Sequence, residues 1–268
     1  FKDSDMFFHA PKAYDTTDTK VPIRRIARKV NGEQYLFTGI PVSYLDSAQY
    51  PLVIDPDFAG STADGEVYGL NATYATARST SYSYSSTSTD MAVGQDYAIS
   101  SYYIYRSYLK FVTSAIGTDI VSQVNLKLML WANNSDIDFD VNVIKQDWSA
   151  QEPLATGTRE AAYDNCLTSA EDDNIWLNTS GKSATTTYTS SNLNTSWINR
   201  TGTTYYSLVS NNDYDGSGTP PGKLGTEDEN ITIVTANSTT ESRRPVLVIV
   251  HAPAAGGSSP KMCLLGAG

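Results

Sequence analysis

Residues 124–130 read VNLKLML, and their alternation decides the fold. Val124, Leu126, Leu128 and Leu130 take one parity, while Asn125 and Lys127 take the other. A period of two sends successive side chains to opposite faces, so this is a strand with one buried face. Residues 136–143 (DIDFDVNV) repeat the pattern with Ile137, Phe139, Val141 and Val143. Residues 245–250 (PVLVIV) are apolar on both faces, as in a central strand. Residues 30–40 and 51–54 read as strands near the start, and 205–209 as another. Residues 99–111 are either a Tyr-rich strand pair or one long strand. Gly, Asn-Asn, Asp-Gly and Pro-Pro clusters separate these runs at short spacing, the pattern of an antiparallel β-sandwich. No long helical period occurs. Residues 158–164 and 196–199 read as single helical turns at most, so helix should stay under about a tenth of the chain, well below the usual share.

Composition agrees with that reading. The 268 residues carry a net charge of −10 and a pI near 4.6. Only 18% of them are charged, and the polar surface is made of hydroxyls, with 30 Ser, 30 Thr and 18 Tyr. Such a chain reads as β-rich and extracellular, at a cell or virion surface. The negative balance argues against nucleic acid as a partner, which needs a basic footprint. No apolar run reaches the 18 or so residues of a membrane span.

The chain divides by composition. Residues 1–57 hold the one basic cluster, Arg24, Arg25, Arg28 and Lys29, and read as an N-terminal β extension or linker domain. Residues 60–252 are Ser/Thr/Tyr-rich and can build the sandwich. Residues 253–268 are a Gly/Ser/Pro-rich tail that ends in an apolar stretch. The start at Phe1 reads as a removed targeting segment or as a piece of something longer. Extended apolar segments at the ends call for a covering partner, and a neighbouring copy by strand addition is the expectation. Residues 79–89 (STSYSYSSTST) read as a solvated loop or edge, or as an O-glycosylated or Tyr-lined binding face. Cys166 and Cys263 are either one disulfide or two unpaired thiols.

Catalytic apparatus is thin. His9 and His251 are the only histidines, and no nucleophile elbow, H-E-x-x-H, P-loop or GxGxxG occurs. Asp136, Asp138, Asp140 and Asn142 would share one strand face at ~7 Å spacing, either screened by water or holding a cation. The sharper metal signal is residues 211–216 (NNDYDG). Asn211, Asp213 and Asp215 are hard oxygen ligands two residues apart before a turn glycine, which suits Ca²⁺. Position twelve would be Gly222, so this is no EF-hand, though Glu227, Asp228 or Glu229 offers a late ligand. The competing reading is an ordinary Asn/Asp/Gly turn. Seven N-x-[ST] sequons begin at Asn71, Asn133, Asn178, Asn194, Asn199, Asn230 and Asn237. Tyr102, Tyr103, Tyr105, Tyr108, Trp131, Trp148, Trp176 and Trp197 are flat amphipathic rings that either pack the core or stack on a sugar.

Several segments in order resemble the DNRLRE family of extracellular β-sandwich domains. Residues 64–68 (DGEVY) and 74–78 (YATAR) open the match. Residues 106–111 (RSYLKF) look like its Arg-x-x-Leu-Lys-Phe strand, followed by 113–116 (TSAI). Residues 120–130 are similar to its next strand, with Val124 and Asn125 where the pattern prefers Ala and a small polar residue. Residues 244–250 (RPVLVIV) are similar to the closing strand, and 43–56 (SYLDSAQYPLVIDP) to the strand that often precedes such domains. The name-giving hexapeptide is absent, and residues 241–245 (ESRRP) stand in a similar place. The resemblance implies a jelly-roll-like sandwich used as a non-catalytic module, with alginate-binding carbohydrate modules among its relatives. Binding a polyuronate needs a basic groove, and the acidic 60–252 region does not supply one.

Two expectations follow. One is a non-catalytic structural or adhesive surface protein, a self-assembling subunit of a filament, envelope layer or virion exterior. It would join copies of itself through the N-terminal segment and the C-terminal tail. The other is a glycan-binding module of a larger secreted or surface protein, which an exposed aromatic platform would favour.

Overall fold

The computed structural model describes residues 12–14, 20–21, 24–30, 33–41, 53–55, 58–168, 174–215, 218–222 and 228–252. The fold is all-β and antiparallel, with 46% strand. Its N-terminal part carries β1 (Lys12–Tyr14), β2 (Lys20–Val21) and β5 (Val53–Asp55) in a three-stranded sheet, and β3 (Arg24–Val30) with β4 (Glu33–Gly39) as a two-stranded one. The basic cluster therefore lies on β3. Residues 1–11 and 253–268 lie outside the described residues, as do the expectations for His9, Cys263 and the apolar tail.

The twelve-stranded sheet contains β6 (Phe58–Ala59), β7 (Gly65–Asn71), β8 (Ser81–Ser85), β9 (Asp90–Ala98), β10 (Ser101–Val112), β11 (Ile120–Asn133), β12 (Asp140–Lys145), β13 (Asn174–Asn178), β14 (Thr186–Thr189), β15 (Thr203–Ser210), β16 (Glu229–Val234) and β17 (Val246–Ala252). It runs β13-β12-β15-β10-β9-β16-β11-β17-β6, with β7 and β8 beside β10 and β14 beside β11. It folds into two layers because β10 changes partner along its length. Residues 101–105 pair with β9, and residues 107–112 pair with β15.

Apolar alternation fills the space between the layers. Val124, Leu126, Leu128 and Leu130 of β11 meet Ile231 and Ile233 of β16, Leu247 and Ile249 of β17, and Met91 and Val93 of β9. Leu109, Phe111, Tyr206, Leu208, Val141 and Val143 close the cluster from the other layer. Each such side chain contributes about 1.5–3 kcal/mol when fully buried. A second cluster lies over β7 and β10, where Val67, Ile104 and Tyr108 pack under Ala77, Trp148 and Tyr163.

Ala77 belongs to α1 (Tyr74–Ser79) and Tyr163 to α2 (Arg159–Thr168). Gly69 lets α1 lie directly on β7: a Cβ there would meet the Ala77 carbonyl oxygen at 1.8 Å. Helical segments make up 17% of the structure, more than expected. The turn foreseen at 158–164 is a ten-residue helix, because Ala162, Tyr163 and Cys166 bury one narrow face. Residues 195–197 form the single turn foreseen there.

Two further readings change. Strand β12 begins at Asp140, so Asp136 and Asp138 do not share its face, and Ile137 is exposed. The Tyr-rich stretch is one long strand entered through a two-residue hairpin turn. Ile99 (φ 50°) and Ser100 (φ 62°) link the paired Ala98 and Ser101. Positive φ at both central residues is the geometry for which Asn and Gly are suited. A β-branched side chain there is strained, and Ile99 is 92% exposed, so it recovers nothing by burial. Ile99→Asn should therefore raise stability by about 1 kcal/mol, read as a higher urea midpoint with an unchanged slope.

Candidate functional site

The residues singled out for Ca²⁺ sit on α3 (Asn211–Tyr214) and just beyond it. Ser210 caps this turn by accepting the Asp213 N–H at 3.1 Å. Asp213 is buried, and both of its carboxylate oxygens face guanidinium groups. Arg106 Nε donates to Oδ2 at 2.7 Å and Arg106 Nη2 to Oδ1 at 2.9 Å, while Arg78 Nε reaches Oδ1 at 3.1 Å. Asn211 Oδ1 accepts the Asp140 N–H at 3.0 Å, and Asp215 is exposed. The three side chains thus serve separate partners, and a cation at Asp213 would lie against two positive groups. Glu229, offered as a late ligand, instead accepts from Gln95 and Asn212, both at 2.7 Å. Among the described residues no group of three His, Cys, Asp or Glu side chains is placed to hold a metal ion.

The remaining candidates separate in the same way. His251 Nδ1 lies 2.7 Å from Asp119 Oδ2 at the end of β17. Cys166 is a buried free thiol, with burial pushing its pKa up to about 11. Tyr102, Tyr108, Trp148, Trp176 and Trp197 are core. Trp131 is partly exposed beneath Arg243, whose guanidinium lies 5.7 Å from its ring. Tyr103 and Tyr105 are different, because their parity turns them away from the helices that cover Tyr102 and Ile104.

On that opposite face, which further along β10 carries the buried Leu109 and Phe111, strand pairing sets Tyr68 of β7 beside Tyr105 of β10, and Tyr103 beside Asp96 of β9. The Tyr103 and Tyr105 rings stack with centroids 6.2 Å apart and planes 13° apart. Tyr68 lies 5.6 Å from Tyr105 and 6.3 Å from Tyr103, and Tyr82 of the edge strand β8 lies 5.9 Å from Tyr68. Gly94, with φ 119°, is the residue paired with Tyr105 on β9. A Cβ there would meet the Glu229 carbonyl oxygen at 2.0 Å, so β9 presents no side chain beside the ring. The result is a run of four aromatic rings, with Tyr82 55% exposed and the others half-buried.

Two carboxylates border the rings. Glu66 accepts the Ala92 N–H and lines a cavity of about 140 Å³ with Ser88, Asp90, Met91, Ala92 and Thr232. Asp96 Oδ2 accepts from Asn230 Nδ2 at 3.3 Å, while its buried Oδ1 has no hydrogen-bond partner. Burial pushes Glu66 up to about 7, with the nearby charge of Asp90 adding and the Ala92 N–H opposing. Burial, then the charge of Asp228, pushes Asp96 up to about 6. The Tyr105 phenol is raised by burial, then by Asp96 and Glu66. No ion pair among the described residues involves Glu66, Asp90, Asp96 or Asp228.

Tyr68, Tyr82, Glu66 and Asp96 were not singled out from the sequence. Parity was the available signal: Glu66 and Tyr68 alternate with buried Val67 as Tyr103 and Tyr105 alternate with buried Ile104. No protein-family model matches the chain, and no curated protein matches it either. Among the described residues no helix is long and apolar enough to cross a membrane.

Two outcomes follow from these environments. Asp213→Asn weakens the partner of a fully buried guanidinium and should cost about 3 kcal/mol, toward the loss seen on breaking buried pairs. Calorimetry should give the same loss with and without a calcium chelator. Glu66 binds its proton more tightly folded than unfolded, so its charge destabilises the fold fully above about pH 7, and the cost fades as pH falls toward 4.5. Glu66→Gln should therefore stabilise the protein at pH 8 by about 2 kcal/mol and by little at pH 4.5, in paired denaturant titrations.

Proposed function

We propose that this chain is a non-catalytic, extracellular carbohydrate-binding β-sandwich module. A glycan docks on the face formed by Tyr68, Tyr82, Tyr103 and Tyr105. The observation that carries this reading is the run of four rings on one sheet face, with Tyr82 exposed and Tyr68, Tyr103 and Tyr105 half-buried. An apolar face with a polar tip suits a sugar ring, which offers C–H groups on its faces and hydroxyls on its rim. The adjacent Asp96 Oδ1 lacks a donor, and a sugar hydroxyl can supply one. The strands that carry the rings are fixed on their other side by α1, α2 and the second cluster, so the platform is pre-formed. The resemblance to DNRLRE-type sandwiches supports the same class of role. The rings favour this reading over the structural or adhesive subunit.

The test is retention of the protein on a panel of immobilised neutral, acidic and amine-bearing polysaccharides, followed by titration calorimetry with the best oligosaccharide. Tyr103→Ala and Tyr105→Ala should each weaken binding about 2- to 10-fold, the range of one aromatic contact, with the melting temperature of Tyr103→Ala close to that of the parent. Absence of retention on every polysaccharide, or affinities that ignore both substitutions, removes the proposal.

A further inference from the structure

The tyrosine face is also the one part of the described surface where aromatic rings and unpaired carboxylates coincide, and that combination selects a charge. From it we infer that the glycan bound here carries protonated amines, as a glucosamine polymer does, rather than carboxylates or acetamides. This inference rests on the carbohydrate-binding reading above and adds the substrate class.

Three observations converge. First, Tyr68, Tyr103 and Tyr105 form one contiguous aromatic patch, with centroids 5.6–6.3 Å apart. The faces of such rings attract an ammonium group within about 6 Å of their centroids. Second, carboxylates from three neighbouring segments lie around the patch. Glu66 comes from β7, Asp90 and Asp96 from β9, and Asp228 from the approach to β16. Among the described residues the ion pairs occupy Asp213, Glu152 and Asp119, and none of them involves these four carboxylates. Third, Asp96 Oδ1 is buried with no donor, beside the Tyr103 ring to which its strand position pairs it. An ammonium supplies three donors and a positive charge, which answers all three features at once. A uronate would bring a second anion into the same patch, and like charges at such a site are repelled. An acetamide carries no charge to meet the carboxylates.

The groups facing the patch also set its pH response. Asp96 faces Tyr103 and Tyr105 on β10, Asn230 on β16 and Asp228. Glu66 faces Tyr105 on β10, and Asp90 and Ala92 on β9. Both carboxyls are raised, so acid neutralises them before ordinary surface carboxylates and cation binding weakens in the same interval.

The experiment uses the full chain and oligosaccharides of one length in four forms: glucosamine, N-acetylglucosamine, trimethylated glucosamine and uronate. Calorimetry at pH 6.5, where the amine is substantially protonated and Asp96 still largely ionised, should give the glucosamine form an affinity about tenfold above the acetylated form, the combined scale of one cation–π contact and one ion pair. Asp96→Asn should shrink that ratio while leaving the affinity for the acetylated form unchanged. The trimethylated form stays charged at every pH. Its affinity should fall between pH 7.5 and pH 5, so that only the protein's titration is read. Equal affinity for amine and acetylated forms overturns the inference and leaves the carbohydrate-binding reading standing. Preference for the uronate does the same. Binding to none of the four, nor to the wider polysaccharide panel, overturns both. A polylysine arm checks for simple charge attraction. If polylysine binds as tightly as the glucosamine form and Tyr103→Ala weakens neither, the inference is also overturned.

Discussion

Arg106 is as deeply buried as the leucines around it, and every helix that covers the first layer is tied to its guanidinium. Nε and Nη2 grip Asp213 on α3, Nη2 also donates to the Arg78 carbonyl on α1 at 2.9 Å, and Nη1 donates to the Tyr163 carbonyl on α2 at 2.6 Å. The Tyr163 ring lies flat beneath it, 3.7 Å from centroid to Cζ. A buried guanidinium is tolerated only when its donors are met and a counter-charge is present. Here one carboxylate, two carbonyls and one ring meet both conditions. The three helices are short, between four and ten residues, and none would be stable alone in water. Their order comes from converging on this one cation at the middle of β10.

That constraint reaches the opposite face through the strand itself. Arg106, Ile104 and Tyr102 point to the helices, so the residues between them must point away from the helices. Fixing the inward set against α1, α2 and α3 fixes Tyr103 and Tyr105 with it. The same holds on β7, where Gly69 and Val67 are clamped under Ala77 and Tyr163 while Tyr68 and Glu66 are left on the other side. The backbone beneath the tyrosine face is therefore held from its other side. Rings that lose little freedom on binding are the ones whose contacts survive as affinity.

Strands were legible in the sequence: β11 and β15 stand where they were read, and so does β17, but beyond β11 it has only the two-residue β6 beside it and Val246, Val248 and Val250 are half-buried, so it is not the central strand that its apolar run suggested. Legibility failed where a residue's environment is set by distant partners. Residues 136–139 alternate like a strand, yet Asp136 accepts the Asp228 N–H at 3.3 Å and Phe139 takes its hydrogen bonds from Thr179, so the ladder starts only at Asp140. The short helix α1 has no periodic signal because its buried face is a single alanine. The sequence did not show the arginine partners of Asp213 for a similar reason. Two oxygen ligands at a two-residue spacing look alike whether the cation they meet is Ca²⁺ or an arginine 107 residues away in sequence. The tyrosine face was half legible, since Tyr103 and Tyr105 were on the page as candidate rings, but Tyr68 and Tyr82 join them only through the β7–β10 and β7–β8 pairings.

The acidity of the chain takes on a local meaning in this light. A net charge of −10 spread evenly would repel any anionic polymer and do little else. Here part of it is concentrated around a patch where Glu66 and Asp96 are half-removed from water and no arginine or lysine among the described residues answers them. Leaving such carboxylates beside aromatic rings costs stability whenever they are charged, and the same burial raises their pKa values. An apolar or amide side chain at either position would lower it, and the fold would lose only the hydrogen bonds to Ala92 and Asn230. Sites that hold an unfavourable arrangement in the free protein are the sites where a ligand of complementary charge gains most on binding. The cost of holding these carboxylates beside the rings and the proposed preference for a cation are thus two readings of the same electrostatics.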